Sequence, residues 1–294
     1  MGRRFTILIL AVAFFGTPAH ADDSWPSVAH PPFWTVHGKS GTAYILSSVH
    51  VLPRSLVWRD AAIDDAAKSS GTFVFEVASG PDDEAEATRF IVARGRLPDG
   101  ETLSSLLSPV AQKDYAAACA LAGMQTTALD DKRPWLAAVV LTVSYMYQRH
   151  LDSTDSPDNQ MLSYAQRNDR MVRYLDTTDQ QLEFLARFDT TKGLAGFSAL
   201  VGDFSSQPQR EDALIAAWSA GDTPALTRLI DASFDSDPEG RKLIDARNRA
   251  WADHLESLLD QDRTYFVTVG VAHLVGPNGL PALLRADGYT VDGP

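Results

Sequence analysis

Two short apolar runs, one near each end of the chain, stop at a histidine. Tyr265–Gly270 leads through Val271 and Ala272 to His273, and Ala43–Ser48 leads through Val49 to His50. Both runs are rich in β-branched and aromatic residues, and proline or glycine follows each within a few positions. That is the pattern of a buried strand that delivers a side chain to its own carboxyl end. In open α/β sheets ligands collect at the carboxyl ends of the strands, so the two histidines are expected to meet at one site. The sequence between them is then the scaffold that brings the ends together.

Phe33–Val36, a glycine-containing stretch at 37–41 and Ala43–Leu46 predict a β-hairpin. Gly38-Lys39-Ser40 does not make a phosphate-binding loop, because Phe33 stands where the first glycine is needed and a strand follows instead of a helix. After His50 the pattern predicts a helix over 56–68 and a strand over 72–77, a βαβ unit with a right-handed crossover to a parallel neighbour. Glu76 lies inside that second strand. An ionised carboxylate in an apolar strand costs several kcal/mol unless it is paired or binds a metal, so Glu76 is expected to have a partner.

From residue 82 to about 150 the periodicity is helical, with proline-marked breaks at Pro109 and Pro134. A helix over 158–168 feeds a strand over 171–176 that ends in Asp176. Helices around 211–232 and a long one over 238–259 precede the His273 strand. A helix over 277–285 and a short strand over 289–291 close the chain. The expected fold is α/β: a central mixed, largely parallel sheet built from the N- and C-terminal parts, with a helical insertion at 82–259 in a single domain spanning 33–294. In the long helix, Leu243, Arg247, Trp251, Leu255 and Leu259 are spaced by four and share a face. Arg247 is therefore embedded in an apolar stripe, where a guanidinium either snorkels outward or meets a buried carboxylate, with Glu76 and Asp176 the candidates. Asn248 is next to it.

Residues 1–21 read as a secretory signal peptide: Arg3 and Arg4, an apolar run from Phe5 to Gly16, and an Ala19-His20-Ala21 cleavage site. The expected location is therefore periplasmic or secreted, with a flexible lead-in over 22–32. No later run reaches the length of a membrane helix, so no transmembrane anchor is expected after cleavage. Without the two signal arginines the chain carries 24 basic and 38 acidic residues, a formal charge of −14. Such an acidic chain is not expected to bind nucleic acid. Cys119 is the only cysteine, which excludes an internal disulfide and a cysteine-ligated zinc; its alanine-rich setting reads as a buried helix face.

Two imidazoles and a carboxylate with open coordination positions suit Zn, Mn, Fe or Co. A metal so held polarises a carbonyl and lowers the pKa of its water, which makes hydrolysis the natural reaction class. His30, His37, His150 and His254 lack the strand-end context and read as surface or packing residues. A serine hydrolase built on Ser47 or Ser48 lacks the G-x-S-x-G elbow, and H-E-x-x-H is absent.

The ordered set of motifs resembles the TraB/GumN family, related to Tiki-type metalloproteases, pheromone-shutdown proteins and, more distantly, erythromycin esterases. That group carries two distant G-x-x-H motifs and a glutamate at the end of the strand after the first. The second motif is Gly270-Val271-Ala272-His273, continuing to Leu280, and Gly288–Val291 also follows the family style. The glutamate matches Glu76, Arg247–Ala252 resembles the family's Arg-Asn helix, and 158–181 resembles its D-x-x-L segment, with Asp176 where glutamate is usual. The first motif departs from the pattern: Ser47-Ser48-Val49-His50 has serine where the family has glycine, a residue that permits a positive φ or a close backbone approach.

The resemblance implies a metal-dependent peptidase supported by a divalent ion such as Mn, Co or Zn. His50, Glu76 and His273 are the implied metal ligands, Glu76 is also the implied general base, and Arg247 and Asn248 are the implied substrate or transition-state groups. Peptide or protein is the implied substrate. The alternative expectation is a non-catalytic envelope protein that binds a peptide or polysaccharide in the same cleft, with Ser47 marking a degenerate site.

Overall fold

The computed structural model describes residues 27–53, 56–78, 80–191, 193–235 and 237–294; the expected signal peptide and residues 22–26 lie outside the described residues. No described helix is long and apolar enough to cross a membrane. The described residues fall into a sheet unit, within Ser24–Val77, Asp152–Leu175 and Arg210–Pro294, and a helical unit, within Ala78–Leu151 and Asp176–Gln209. The helical unit is thus smaller than the stretch 82–259 read as an insertion. The segments around 152–175 and 210–259 join the sheet unit because their apolar faces are buried on it.

The sheet has six strands in the order Met171–Asp176, Thr72–Val77, Thr264–Gly270, Thr42–Ser48, Phe33–His37 and Thr290–Asp292. The expected hairpin is present, with Phe33–His37 antiparallel to Thr42–Ser48, and the last short strand adds antiparallel to Phe33–His37. The βαβ expectation is corrected in one respect. Thr72–Val77 does not lie beside Thr42–Ser48; the central strand, Thr264–Gly270, stands between them and pairs parallel with both. Six of the seven residues of that strand are buried, so it needs cover on both faces and both edges, and the centre of the sheet supplies it.

On one face, Tyr265, Val267 and Val269 join Ala43, Ile45 and Val74 in a core closed by Trp251, Leu255, Leu258 and Leu259 of the long helix, Pro238–Leu259. On the opposite face, Phe266 stacks on Phe73 at 5.3 Å, and Phe73 in turn meets Tyr164 at 5.7 Å. Tyr164 belongs to the helix Pro157–Arg167, whose Met161 and Ala165 are fully buried. This helix starts where its sequence dictates: the Ser156 hydroxyl accepts from the Asn159 amide, and Pro157 occupies the first turn. Residues 28–30 of the expected lead-in are tied down, with Ala29 N–H donating to Val57 O at 2.8 Å and His30 N–H to Ser219 O at 2.7 Å.

Within the helical unit, Tyr115 of the helix Pro109–Leu121 packs edge-on against Phe197 at 5.5 Å, and Tyr145 against Phe204 at 5.4 Å. Cys119 is buried in this core as expected, and burial pushes its thiol up to about 11.

Replacing the fully buried Phe266 tests how far the central strand holds the sheet. Phe266→Ala is expected to lower unfolding stability by about 3–5 kcal/mol, read as a reduced denaturation midpoint in urea.

Candidate functional site

The central strand ends at Gly270, and a tight turn, Val271–His273, carries the chain to His273, which is buried. The ring of His273 is oriented from two sides. Its Nδ1 bonds Asn248 Oδ1 at 2.6 Å, and its plane lies against Trp251 with centroids 4.5 Å apart. An amide oxygen only accepts, so Nδ1 carries the proton and Nε2 keeps its lone pair. Burial lowers the pKa of His273 to about 4, with Arg247 and His50 acting in the same direction and Glu76 against them. The ring is therefore neutral at neutral pH.

Glu76 sits near the end of its strand, and its carboxylate has the partner that its setting demands. Gly270 N–H donates to Glu76 Oε1 at 2.5 Å, so the terminal amide of the central strand holds the carboxylate at the sheet edge. Gly270 leaves space there for both side chains. A Cβ at this position would stand 3.0 Å from Glu76 Oε1 and 3.1 Å from His50 Nε2. The open side of one glycine is thus a point on which a carboxylate oxygen and an imidazole nitrogen both converge.

His50 follows the strand that pairs Ser48 with Gly270. Its Nδ1 lies 3.2 Å from Asp158 Oδ2, and the same oxygen accepts a hydrogen bond from the Ser48 hydroxyl. Although the side chain is 66% exposed, the protein packed around it still desolvates the ring and works against its charge. The charge and hydrogen bond of Asp158 outweigh this, Glu76 adds and Arg247 opposes, and the pKa is raised to about 9. Asp158 itself, against the cost of its own burial, is held below the ordinary carboxylate range by His50, by the Ser48 hydroxyl and by its backbone amide. The carboxylate therefore stands between serine and histidine. A serine nucleophile needs its hydroxyl on the imidazole, so this order does not make a serine-hydrolase triad.

Arg247 is nearly buried and lies with its guanidinium 4.3 Å over the Trp251 ring, in cation–π contact, close enough to lower the proton affinity of both histidines. Trp251 is thus packed by Arg247 and by His273. Asn248, also buried, has both ends of its amide engaged: Oδ1 on His273 and Nδ2 donating to Asn278 O at 2.8 Å. Asn278 in turn donates to Asp245 Oδ2 at 2.8 Å, which fixes the loop after His273 to the long helix. Asp176 ends its strand as read from the sequence.

Ser47, the departure from the glycine pattern, lies within the extended strand and is fully buried. Its hydroxyl accepts from Trp218 Nε1–H at 3.0 Å, and the same N–H lies 3.3 Å from the Ser47 carbonyl. The described non-glycine residues with positive φ are His150 and Asp169, so position 47 makes no demand that only glycine meets.

The sequence places Trp251 on the Arg247 face and Asp158 at the start of the D-x-x-L segment, but the bonds of Asp158 to Ser48 and His50 and of Trp218 to Ser47 are not expected from it. Asp158 also meets an ordinary structural need that masks its second role: it occupies the first turn of a helix, where an acid compensates the dipole.

Whether these residues suit a divalent cation is a matter of donors and geometry. Both imidazoles are bonded at Nδ1, which aims the ligand role at Nε2, and a second bond of this kind is a regular accompaniment of metal-binding histidine. Glu76 Oε1 and His50 Nε2 both lie on the side of Gly270 where a Cβ would project. Among the described residues, however, no three His, Cys, Asp or Glu side chains form a closed group around a metal-sized point. The donor types suit a divalent ion, but their arrangement does not enclose one: two side-chain ends lie beside Gly270, with His273 within electrostatic reach.

The sequence matches the TraB/PrgY/gumN family over residues 32–293, nearly the whole chain. The chain belongs to that family. A curated relative in Treponema pallidum (strain Nichols), an uncharacterized protein, is 23% identical over 272 residues, covering 86% of this chain and 80% of its own length. No solved structure matches the chain. Ser47–His50 and Gly270–His273 thus continue from neighbouring parallel strands, and Glu76, between them in sequence, reaches the same edge from the other side of the central strand.

Gly270→Ala is expected to displace the ends of the Glu76 and His50 side chains by a few tenths of an ångström and to change stability by no more than about 1 kcal/mol, measured by thermal or urea denaturation. In metal-free protein, imidazole NMR is expected to show His50 losing its proton near pH 9 and His273 gaining one only near pH 4. Against an unfolded value of about 6.5, the His273 setting loses stability as the pH falls from 6.5 toward 4, whereas the His50 setting keeps its contribution below 6.5 and loses it as the pH rises through 9.

Proposed function

We propose that this protein is a metal-dependent hydrolase of the TraB/PrgY/gumN family that cleaves peptide bonds outside the cytoplasm. The observation that carries the reading is the convergence of Glu76 Oε1 and His50 Nε2 on the open side of Gly270. His50 and Glu76 would hold a divalent ion such as Mn, Co or Zn, with His273 joining them only after a shift of its side chain, since the three do not enclose a metal-sized point in this structure. The bound ion would supply Lewis acidity to a substrate carbonyl. The chain's own groups do the rest. Glu76, held at the sheet edge by the Gly270 amide, accepts the proton of the attacking water. His273, neutral and fixed by Asn248, keeps Nε2 unprotonated across the physiological range. Arg247, stacked on Trp251, offers guanidinium N–H groups to negative charge that develops on the carbonyl oxygen. Asn248 acts through His273, since both ends of its amide are engaged.

His50 must give up a proton before it can act as a ligand, because its pairing with Asp158 favours the charged ring. Metal affinity is therefore expected to fall as the pH drops, in the manner of any site whose ligands bind protons.

The test is metal content and peptide hydrolysis of the purified protein after chelation and add-back of Mn, Co or Zn, alongside His273→Ala and Glu76→Gln. The expected result is metal-dependent cleavage by the wild type, with activity lowered at least about 100-fold in Glu76→Gln through loss of the base and metal binding lost in His273→Ala. A wild-type protein that binds none of the three ions overturns the reading and leaves a peptide- or polysaccharide-binding protein of the same fold.

A further inference from the structure

Asp158 takes no part in the proposed hydrolysis, yet its position is unusual for a residue that only starts a helix. It lies in the first turn of Pro157–Arg167 with its side chain 22% exposed. One of its oxygens, Oδ2, serves both the Ser48 hydroxyl and His50 Nδ1. Ser48 is anchored by the sheet, opposite Gly270 in the register, and is itself buried. His50 is not anchored in this way: it lies beyond the end of its strand, and its side chain is 66% exposed. A histidine so exposed has two χ angles free to rotate and a ring that can flip, and its Nε2 would face the open side of Gly270 only part of the time. The contacts that fix it come from the Asp158 carboxylate.

We propose that Asp158, braced by Ser48, is a positioning residue that holds His50 by Nδ1–H so that Nε2 is presented to Glu76 Oε1 over Gly270. The consequence for metal binding rests on the hydrolase reading; the orientation of the ring does not. The two histidines are then oriented by partners of different kinds, a carboxylate for the exposed ring and a neutral amide for the buried one. An amide suffices for His273 because Trp251 and burial already confine it. A solvent-exposed ring needs the stronger, charge-assisted bond.

The rival is a purely structural role for Asp158, because an acid in the first helical turn stabilises the helix by itself. The two roles separate in the tautomer of His50. Long-range proton–nitrogen correlation spectra of 15N-labelled, metal-free protein at about pH 10, where the ring is neutral, read which nitrogen carries the proton. The wild type is expected to hold His50 as the Nδ1–H form. Asp158→Ala is expected to move it toward the Nε2–H form that prevails in free imidazole side chains, with the His273 signals and the far-UV circular dichroism unchanged. Asp158→Asn, which keeps an oxygen able to accept from both Ser48 and His50, is expected to restore the Nδ1–H form.

Zinc affinity, measured at about pH 10, where His50 is neutral with or without Asp158, by competition with a chromophoric chelator, is expected to fall about 10–100-fold in Asp158→Ala and by less in Asp158→Asn. An unchanged His50 tautomer in a folded Asp158→Ala protein overturns the positioning role. If the wild type binds no zinc, manganese or cobalt, the hydrolase reading fails, while the tautomer result still decides the role of Asp158.

Discussion

Everything at the site depends on the central strand, Thr264–Gly270, having a parallel neighbour on each side. Parallel strands place their carboxyl ends at one edge, so pairing in register brings Ser48 level with Gly270 and leads Glu76 to the same edge from the opposite side. No loop has to reach far to assemble the histidines and the carboxylate. The last amide of the central strand has no further strand partner to bond, and it finds one in the Glu76 carboxylate. A single backbone group thereby completes the sheet and fixes a functional oxygen.

The electrostatics of the edge are asymmetric. His273 lies in the dry interior beside the cationic Arg247, which disfavours its charge, and it is neutral. His50 lies toward solvent beside the anionic Asp158, and it favours its charge. Glu76 is near both rings and favours the charged form of each, adding to the effect of Asp158 at His50 and opposing that of burial at His273. The His50 imidazolium is thus the positive charge set directly against the Asp158 carboxylate.

Much of this was legible in the sequence because it follows from short-range patterns. The apolar runs that stop at His50 and His273, the acid within the 72–77 strand and the four-residue spacing through Arg247 and Trp251 each located a residue now found at the sheet edge. What escaped depends on which strands become neighbours. The insertion of the central strand between Thr42–Ser48 and Thr72–Val77 is a choice made by burial on both faces, and nothing in the spacing of either strand encodes it. The bonds of Asp158 to Ser48 and His50 span about 110 positions, and that of Trp218 to Ser47 spans 171. Contacts so distant in sequence leave no local periodicity, and a helix-starting acid or a buried tryptophan is already accounted for by its own segment.

The pairing of Ser47 with Trp218 carries an implication for how this site edge can change. The indole N–H, fully buried, bonds the serine hydroxyl at 3.0 Å and has only a longer contact, 3.3 Å, with the carbonyl of the same residue. Glycine at position 47 would leave the indole with that weaker contact, and a smaller apolar residue at 218 would leave a buried hydroxyl without its donor. Either single change passes through a less favourable intermediate, and only the two together reach another satisfied arrangement. The two positions are therefore coupled, and a mutational path between serine and glycine here is shaped by a tryptophan more than 170 residues away.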